Sequence, residues 1–206
     1  QTCLVGKNES GKTVLLTALY RTNPMIPADA VFNETYDYPK REIEDYRFDV
    51  EAGDREEATV VSCLYELDQD DLDRVAAVVG PDALQERTFT RNTYYGKDNS
   101  DFVLEVDDAA VRNFLASNTD LDGDLAKSLA GASDWPTFVE LLDNSEQTEN
   151  VTQLKKRVKQ IQESGLSTYI FDNLLWPFAP KFLYFSEYYQ MKGQENLNAL
   201  VEREKH

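Results

Sequence analysis

Histidine is almost missing from this 206-residue chain. Its one copy is His206, and there are only two cysteines, Cys3 and Cys63. So few soft ligands leave no room for a zinc finger or a disulfide framework. Both cysteines sit in apolar, strand-like runs, which predicts buried free thiols in a reducing compartment. No apolar run approaches the ~18 residues that cross a bilayer. No basic-then-apolar leader opens the sequence either, so a cytoplasmic protein with no membrane association is expected. Positive charge is also scarce, at 21 Lys and Arg against 38 Asp and Glu, a formal net charge of −17. The deficit is local. Residues 1–50 carry 6 basic and 8 acidic side chains, residues 51–150 carry 7 and 24, and residues 151–206 carry 8 and 6. The middle of the chain should therefore repel a phosphate backbone, and any DNA contact is expected through other regions.

Against these absences stands one dense stretch, Thr2-Cys3-Leu4-Val5-Gly6-Lys7-Asn8-Glu9-Ser10-Gly11-Lys12-Thr13-Val14-Leu15-Leu16. It has the form of an apolar strand end, a G-x-x-x-x-G-K-T loop and the first turn of a helix. Gly6 and Gly11 allow sharp turns and a close approach of backbone to ligand. The amides from Gly6 to Val14 and the positive end of the new helix would converge on an anion. Lys12 supplies a compact cation for the β- and γ-phosphates, and the Thr13 hydroxyl is the expected Mg²⁺ ligand. Val14, Leu15, Ala18 and Leu19 recur at helical spacing, with a stop before Asn23-Pro24. The expected ligand set is Gly6, Lys7, Asn8, Glu9, Ser10, Gly11, Lys12, Thr13 and Val14, with ATP and Mg²⁺ as cofactors. A glycine-rich turn that binds nothing is the plain alternative.

The loop interior, Gly6-x-Asn8-x-Ser10-Gly11-Lys12-Thr13, resembles the G-x-N-x-[SA]-G-K-[ST] loop of RecF, structural-maintenance-of-chromosomes and overcoming-lysogenisation-defect (OLD) ATPase heads. The run Gly-Lys-Asn-Glu-Ser-Gly-Lys-Thr-Val-Leu-Leu-Thr-Ala-Leu looks most like the OLD and RecF-like bacterial ATPases. The resemblance covers residues 2–24. It implies an ABC-type head in which two heads sandwich two ATP molecules, with service in DNA repair or anti-phage defence. Homodimerisation of heads in the full-length protein follows from the same likeness.

Beyond the loop, residues 25–50 carry Pro27 and Pro39 and an aromatic–acidic cluster at Tyr36-Asp37-Tyr38. This stretch is expected to be loop-rich. One of these residues stacks on adenine or holds a metal-bound water, or the cluster simply anchors a surface loop, which is the preferred reading. Residues 58–67 alternate as a strand, with Val61, Cys63, Tyr65 and Leu67 on one face. An Asp-started helix bearing Leu72, Val75, Ala76 and Val79 then stops at Gly80-Pro81. Arg87 to Tyr95 and Phe102 to Val106 form a hairpin around Gly96-Lys97-Asp98-Asn99-Ser100. Three helices are expected next, capped by Asp107 or Asp108, by Asp134 and by Asn150. The third is ended by Gly165 and carries a basic face of Lys155, Lys156, Arg157 and Lys159. That face would meet DNA or anionic lipid, or be ordinary solvated charge, which is the preferred reading. Asn118-Thr-Asp120-Leu-Asp122-Gly123 imitates half an EF-hand, but Leu129 stands where a bidentate Glu is required, so capping carboxylates in a turn are expected.

The run Pro180-Lys-Phe-Leu-Tyr-Phe-Ser186-Glu187 resembles a Walker B strand with Ser in place of its Asp. A strand returning the chain to the sheet is the preferred reading. An amphipathic helix with Leu197, Leu200 and Val201 closes the sequence.

The expected fold is α/β: a P-loop NTPase, ABC-type head lobe with an antiparallel β-subdomain and a helical insertion, the N-terminal part of a larger ATPase. The expected divisions are residues 1–50 (phosphate loop and following helix), 51–107 (acidic β-subdomain), 108–165 (helical insertion) and 166–206 (return strand and helix). ATP binding without efficient hydrolysis is expected of this chain, with no catalytic residue assigned. The rivals are a nucleotide-binding regulatory or toxin–antitoxin module without turnover, and another P-loop enzyme such as a small-molecule kinase.

Overall fold

A computed structural model describes residues 3–7, 11–97 and 99–184, with Lys97 by its backbone alone. The chain divides into two compact units. Residues 32–180 form one contiguous lobe, and residues 3–31 with 181–184 belong to the other. Helices and strands are mixed, with nine α-helices and one three-stranded antiparallel sheet among the described residues.

In the first unit, α1 (Lys12–Thr22) is the main element. After it, Pro24 and Phe182 form a parallel bridge. The Phe182 amide donates to Asn23 O at 2.8 Å, and the Met25 amide donates to Phe182 O at 2.8 Å. The chain therefore comes back beside the end of α1 at Phe182, with Tyr184 tilted against Tyr20 at 6.1 Å. Leu183 is exposed, and among the described residues 181–184 of the expected buried strand there is a single bridge; its residues from 185 on lie outside the described ones. Cys3-Leu4-Val5 is likewise exposed and unpaired as a strand, and Cys3 is an exposed thiol rather than a buried one. The reason is local: no strand lies alongside Cys3–Val5 among the described residues to bury it.

The lobe opens on two helices, α2 (Glu34–Asp37) and α3 (Ile43–Ala52), where a loop-rich stretch was expected. The prolines mislead here. Pro39 sits between the helices, and α3 has only Ile43 and Tyr46 buried among charged neighbours, a stripe too thin to register as helical periodicity. Three strands follow: β1 (Val61–Glu66), β2 (Thr88–Thr93) and β3 (Ser100–Val103), in the order β1-β2-β3. The register runs from Val61 opposite Thr93 to Glu66 opposite Thr88, and from Thr90 opposite Val103 to Thr93 opposite Ser100. Period-two alternation turns Val61, Cys63, Tyr65 and the following Leu67 inward, and Ser62, Leu64 and Glu66 outward, as expected.

Between β1 and β2 lies α4 (Gln69–Val79), started by a capping box in which Asp68 and Asp71 satisfy each other's backbone amides. Gly80 ends it at φ 105°, where a Cβ would lie 2.7 Å from Cγ of Phe114. Both the backbone angle and the neighbouring ring demand glycine there.

The second layer is helical: α5 (Asp108–Asn118), α6 (Gly123–Ala130), α7 (Trp135–Asp143), α8 (Glu149–Ser164) and α9 (Leu166–Ile170). A π-turn over Phe171–Leu175 and a 3-10 turn over Trp176–Phe178 complete it. Asp107 and Asp134 cap α5 and α7 as expected. For α8 the cap is Thr148, whose hydroxyl accepts from the Val151 amide at 3.3 Å, and not Asn150. Asn150 lies inside the first turn and uses its amide to hold Asp120 O at 2.8 Å. Gly165 ends α8 at φ 83°. Val151, Leu154, Val158 and Ile161 form its buried stripe against Phe138, Leu142, Leu115 and Ile170 in one continuous core.

The α7 cap generates a pH prediction. Hydrogen bonds from the Thr137 hydroxyl and amide hold the Asp134 carboxyl below its ordinary value. A carboxyl lowered in the folded state stabilises fully above the unfolded value and loses that contribution as pH falls through the folded one. Asp134→Ala should therefore lower the melting temperature at pH 7. Its deficit relative to the unmutated chain should shrink as the pH is taken below the carboxylate range in thermal scans.

Candidate phosphate-binding loop

The loop is built where an extended segment meets α1. Gly11 precedes the first helical residue at φ 82°, in the left-handed region, so it and not a capping side chain turns the chain into the helix. An added Cβ there would meet nothing within 4 Å; the requirement for glycine is its backbone angle. Helical side chains lean toward the helix N-terminus, so a lysine in the first position reaches back over the loop. The Lys12 ammonium donates to Gly6 O at 2.8 Å and to Lys7 O at 2.5 Å. The first α-helical bond runs from the Leu15 amide to Gly11 O at 3.0 Å, so the amides of Thr13 and Val14 have no partner within the helix.

Gly6, Lys7, Gly11, Lys12, Thr13 and Val14 are thus brought to one end of α1, with Thr13 exposed beside Lys12. Asn8, Glu9 and Ser10, the residues that set the family resemblance, lie outside the described residues, as do Ser186 and Glu187 and the closing helix with Leu197, Leu200 and Val201. Beyond the loop, α1 shows Val14 at 71%, Leu15 at 57% and Leu19 at 41% exposure, so much of its apolar surface is open among the described residues.

Other candidate residues resolve into structural work. Tyr38 stacks on Tyr46 at 4.4 Å, with Tyr95 edge-on to both, so it anchors the start of α3. The Asp37 carboxylate accepts the Asn33 amide at 2.8 Å, while Tyr36 is exposed. The Asp122 carboxylate accepts the Asp124 amide at 3.0 Å as the cap of α6, which accounts for the EF-hand-like string. On the basic face of α8, Lys155 pairs with Asp143 at 2.9 Å and Lys159 with Glu163 at 3.7 Å, and Arg157 donates to Val78 O at 3.4 Å. Its charge is largely answered inside the lobe. Sequence reasoning passed over Arg112, which interrupts the apolar stripe of α5 and is buried. A charged residue beside Val111, Leu115 and Ala116 was the available signal.

No protein-family model, no curated protein and no solved structure matches this chain. Among the described residues no helix is long and apolar enough to cross a membrane. No group of three or more His, Cys, Asp or Glu among them is placed to hold a metal ion.

The electrostatic division follows the two units. Residues 32–180 carry 32 acidic and 14 basic side chains, a net charge of −18, and the remainder of the chain carries a net +1. Duplex DNA should therefore avoid the lobe. Photocrosslinking of the chain with labelled duplex at low salt should yield few or no adducts within residues 32–180. Adducts concentrated there would contradict the charge argument.

Proposed function

We propose that this chain binds Mg·ATP through the loop at the start of α1, as the N-terminal part of an ABC-type ATPase head of the OLD, RecF and chromosome-maintenance group. The observation that carries the reading is the Lys12 ammonium wrapped by the carbonyls of its own loop. That contact gathers a cation and two carbonyl dipoles at the start of the helix. A phosphate oxygen carries formal negative charge where a carbonyl carries only a partial one, and is the stronger acceptor for the same ammonium. The left-handed Gly11 and the amides of Thr13 and Val14 are also arranged as an anion-binding helix start requires.

On this reading Lys12 takes the β- and γ-phosphates, the amides of Gly11 to Val14 cradle the β-phosphate, and the Thr13 hydroxyl is the protein's ligand to Mg²⁺. The bound metal neutralises phosphate charge. These parts bind ground state and transition state alike, which does not raise turnover. The reading therefore assigns the chain nucleotide binding, with hydrolysis and head dimerisation belonging to the full-length protein. DNA repair or anti-phage defence is the role the resemblance of the loop sequence suggests.

Isothermal calorimetry with ATP and Mg²⁺ tests the assignment. The unmutated chain should bind, and Lys12→Ala should weaken binding at least about tenfold, since losing a charged partner to a desolvated phosphate costs 2 kcal/mol or more. Equal affinity in a folded Lys12→Ala variant would remove the loop from the account. Steady-state turnover should stay far below the ~1 s⁻¹ of a competent enzyme. Turnover at that rate, abolished by Glu187→Gln, would instead make this chain a complete ATPase.

A further inference from the structure

Away from the loop, the sheet of the lobe ends on a strand with one side unpaired. The order β1-β2-β3 leaves β1 at an edge, with no described strand beyond it. The Leu67 amide donates to Arg87 O at 2.9 Å, in step with the β1-β2 register. Alternate residues of an antiparallel strand bond to a given neighbour, so Val61, Cys63 and Tyr65 turn their backbone groups to β2. The amides and carbonyls of Ser62, Leu64 and Glu66 therefore point away from the sheet. Natural edges are commonly blunted by lysine or proline. Val-Ser-Cys-Leu-Tyr-Glu has neither.

The side chains of this edge suit a second copy of itself. Leu64 lies opposite Thr90, and Thr90 opposite Val103, so the three form one row across the outer face. Leu64 is 71% exposed at the edge, and Val103 is 56% exposed on the far strand. The one charged residue of β1 is Glu66, at its end. An antiparallel pair centred on Leu64 joins the amides of Ser62, Leu64 and Glu66 to the carbonyls of Glu66, Leu64 and Ser62 in the other copy. The two exposed leucines then meet side by side, a pairing that stabilises a sheet. Glu66 meets Ser62, whose hydroxyl donates to Asn92 Oδ1 at 2.8 Å, and so avoids a like charge. Centring the pair on Glu66 would oppose two carboxylates, and centring it on Ser62 would leave the Glu66 backbone unpaired.

We propose that β1 is a self-association edge, pairing antiparallel with β1 of a second copy in the register centred on Leu64. The two sheets become one, and the outer row runs unbroken from Val103 of one copy to Val103 of the other. A single strand pair is smaller than the ~1,200–2,000 Å² of stable interfaces, so the association is weak. Each lobe carries a net charge of −18, so the copies repel and salt strengthens the pairing. This surface does not depend on the nucleotide-binding reading.

The test is sedimentation velocity of the intact chain without nucleotide, over a concentration series at low salt and at about 0.5 M salt, where screening sets in beyond roughly 4 Å. The mean mass should rise with concentration, and more steeply at high salt. Leu64→Glu, at an exposed site, should weaken association about tenfold or more, because two like charges replace the leucine pair. Val103→Glu adds the same charge to the same face away from the edge and should change it little. Register is read by disulfide formation in a Cys3→Ser, Cys63→Ala background. Leu64→Cys should crosslink readily, since directly opposed Cα atoms lie ~5.5 Å apart, within disulfide reach. Ser62→Cys should not, since its counterpart lies some four residues along the strand, about 13 Å away. A chain that stays monomeric throughout would overturn the proposal. So would equal weakening by both glutamates, which would mean stacked sheet faces, or equal crosslinking by both cysteines, which would mean random collision.

Discussion

The lobe depends on the ring of Phe171. It stacks on Phe102 at 3.9 Å and on Trp176 at 5.5 Å, and meets Phe89 edge-on at 5.5 Å; Phe89 in turn stacks on Tyr65 at 4.7 Å. Side chains from the sheet and from the turn after α9 are joined in one aromatic stack, with the Arg91 guanidinium 4.3 Å above Trp176. Such ring pairs contribute ~0.5–1.5 kcal/mol each beyond the area they bury. A chain with this excess of acidic groups has to overcome its own repulsion on folding. A stack of large rings at the junction of sheet and helices is an efficient counterweight. The π-turn over Phe171–Leu175 is the backbone irregularity that accompanies it, placing Phe171, Leu174 and Leu175 inward together.

That stack explains what could and could not be read in the sequence. Local rules carried well: the alternation of β1, the Asp-led start of α4, the caps of Asp107 and Asp134 and the stop at Gly165 are all set by residues within four positions of one another. Long-range choices did not carry. Residues 166–178 build the stack, but no local rule specifies a π-turn, whose geometry is decided by the rings it must seat. Thr148 and Asn150 are both good caps; Thr148 serves because Asn150 has a partner at Asp120 O, 30 residues away. The helix α3 was hidden by its charge, since two buried positions in ten residues leave little periodicity. Arg112 stayed out of view because only packing reveals that a charged side chain has gone inward.

The turn into α1 follows from local residues alone. A glycine at positive φ and a lysine in the first helical position are consequences of a short, contiguous string, and they need no distant partner. Gly11 turns the chain at φ 82° and Lys12 reaches back to the carbonyls of Gly6 and Lys7, while much of the apolar surface of α1 and of Leu4-Val5 is exposed. That contrast separates two properties of the unit. The geometry at the start of α1 is set locally, and the packing of its apolar face is not answered by the residues described.

The central claim is that Lys12 exchanges the carbonyls of its own loop for the phosphates of a nucleotide. A structure determined with Mg²⁺ and a non-hydrolysable ATP analogue tests it most directly. The account predicts that the Lys12 ammonium leaves Gly6 O and Lys7 O for oxygens of the β- and γ-phosphates, with Thr13 on the metal. A nucleotide bound elsewhere, with Lys12 still on its two carbonyls, would contradict it.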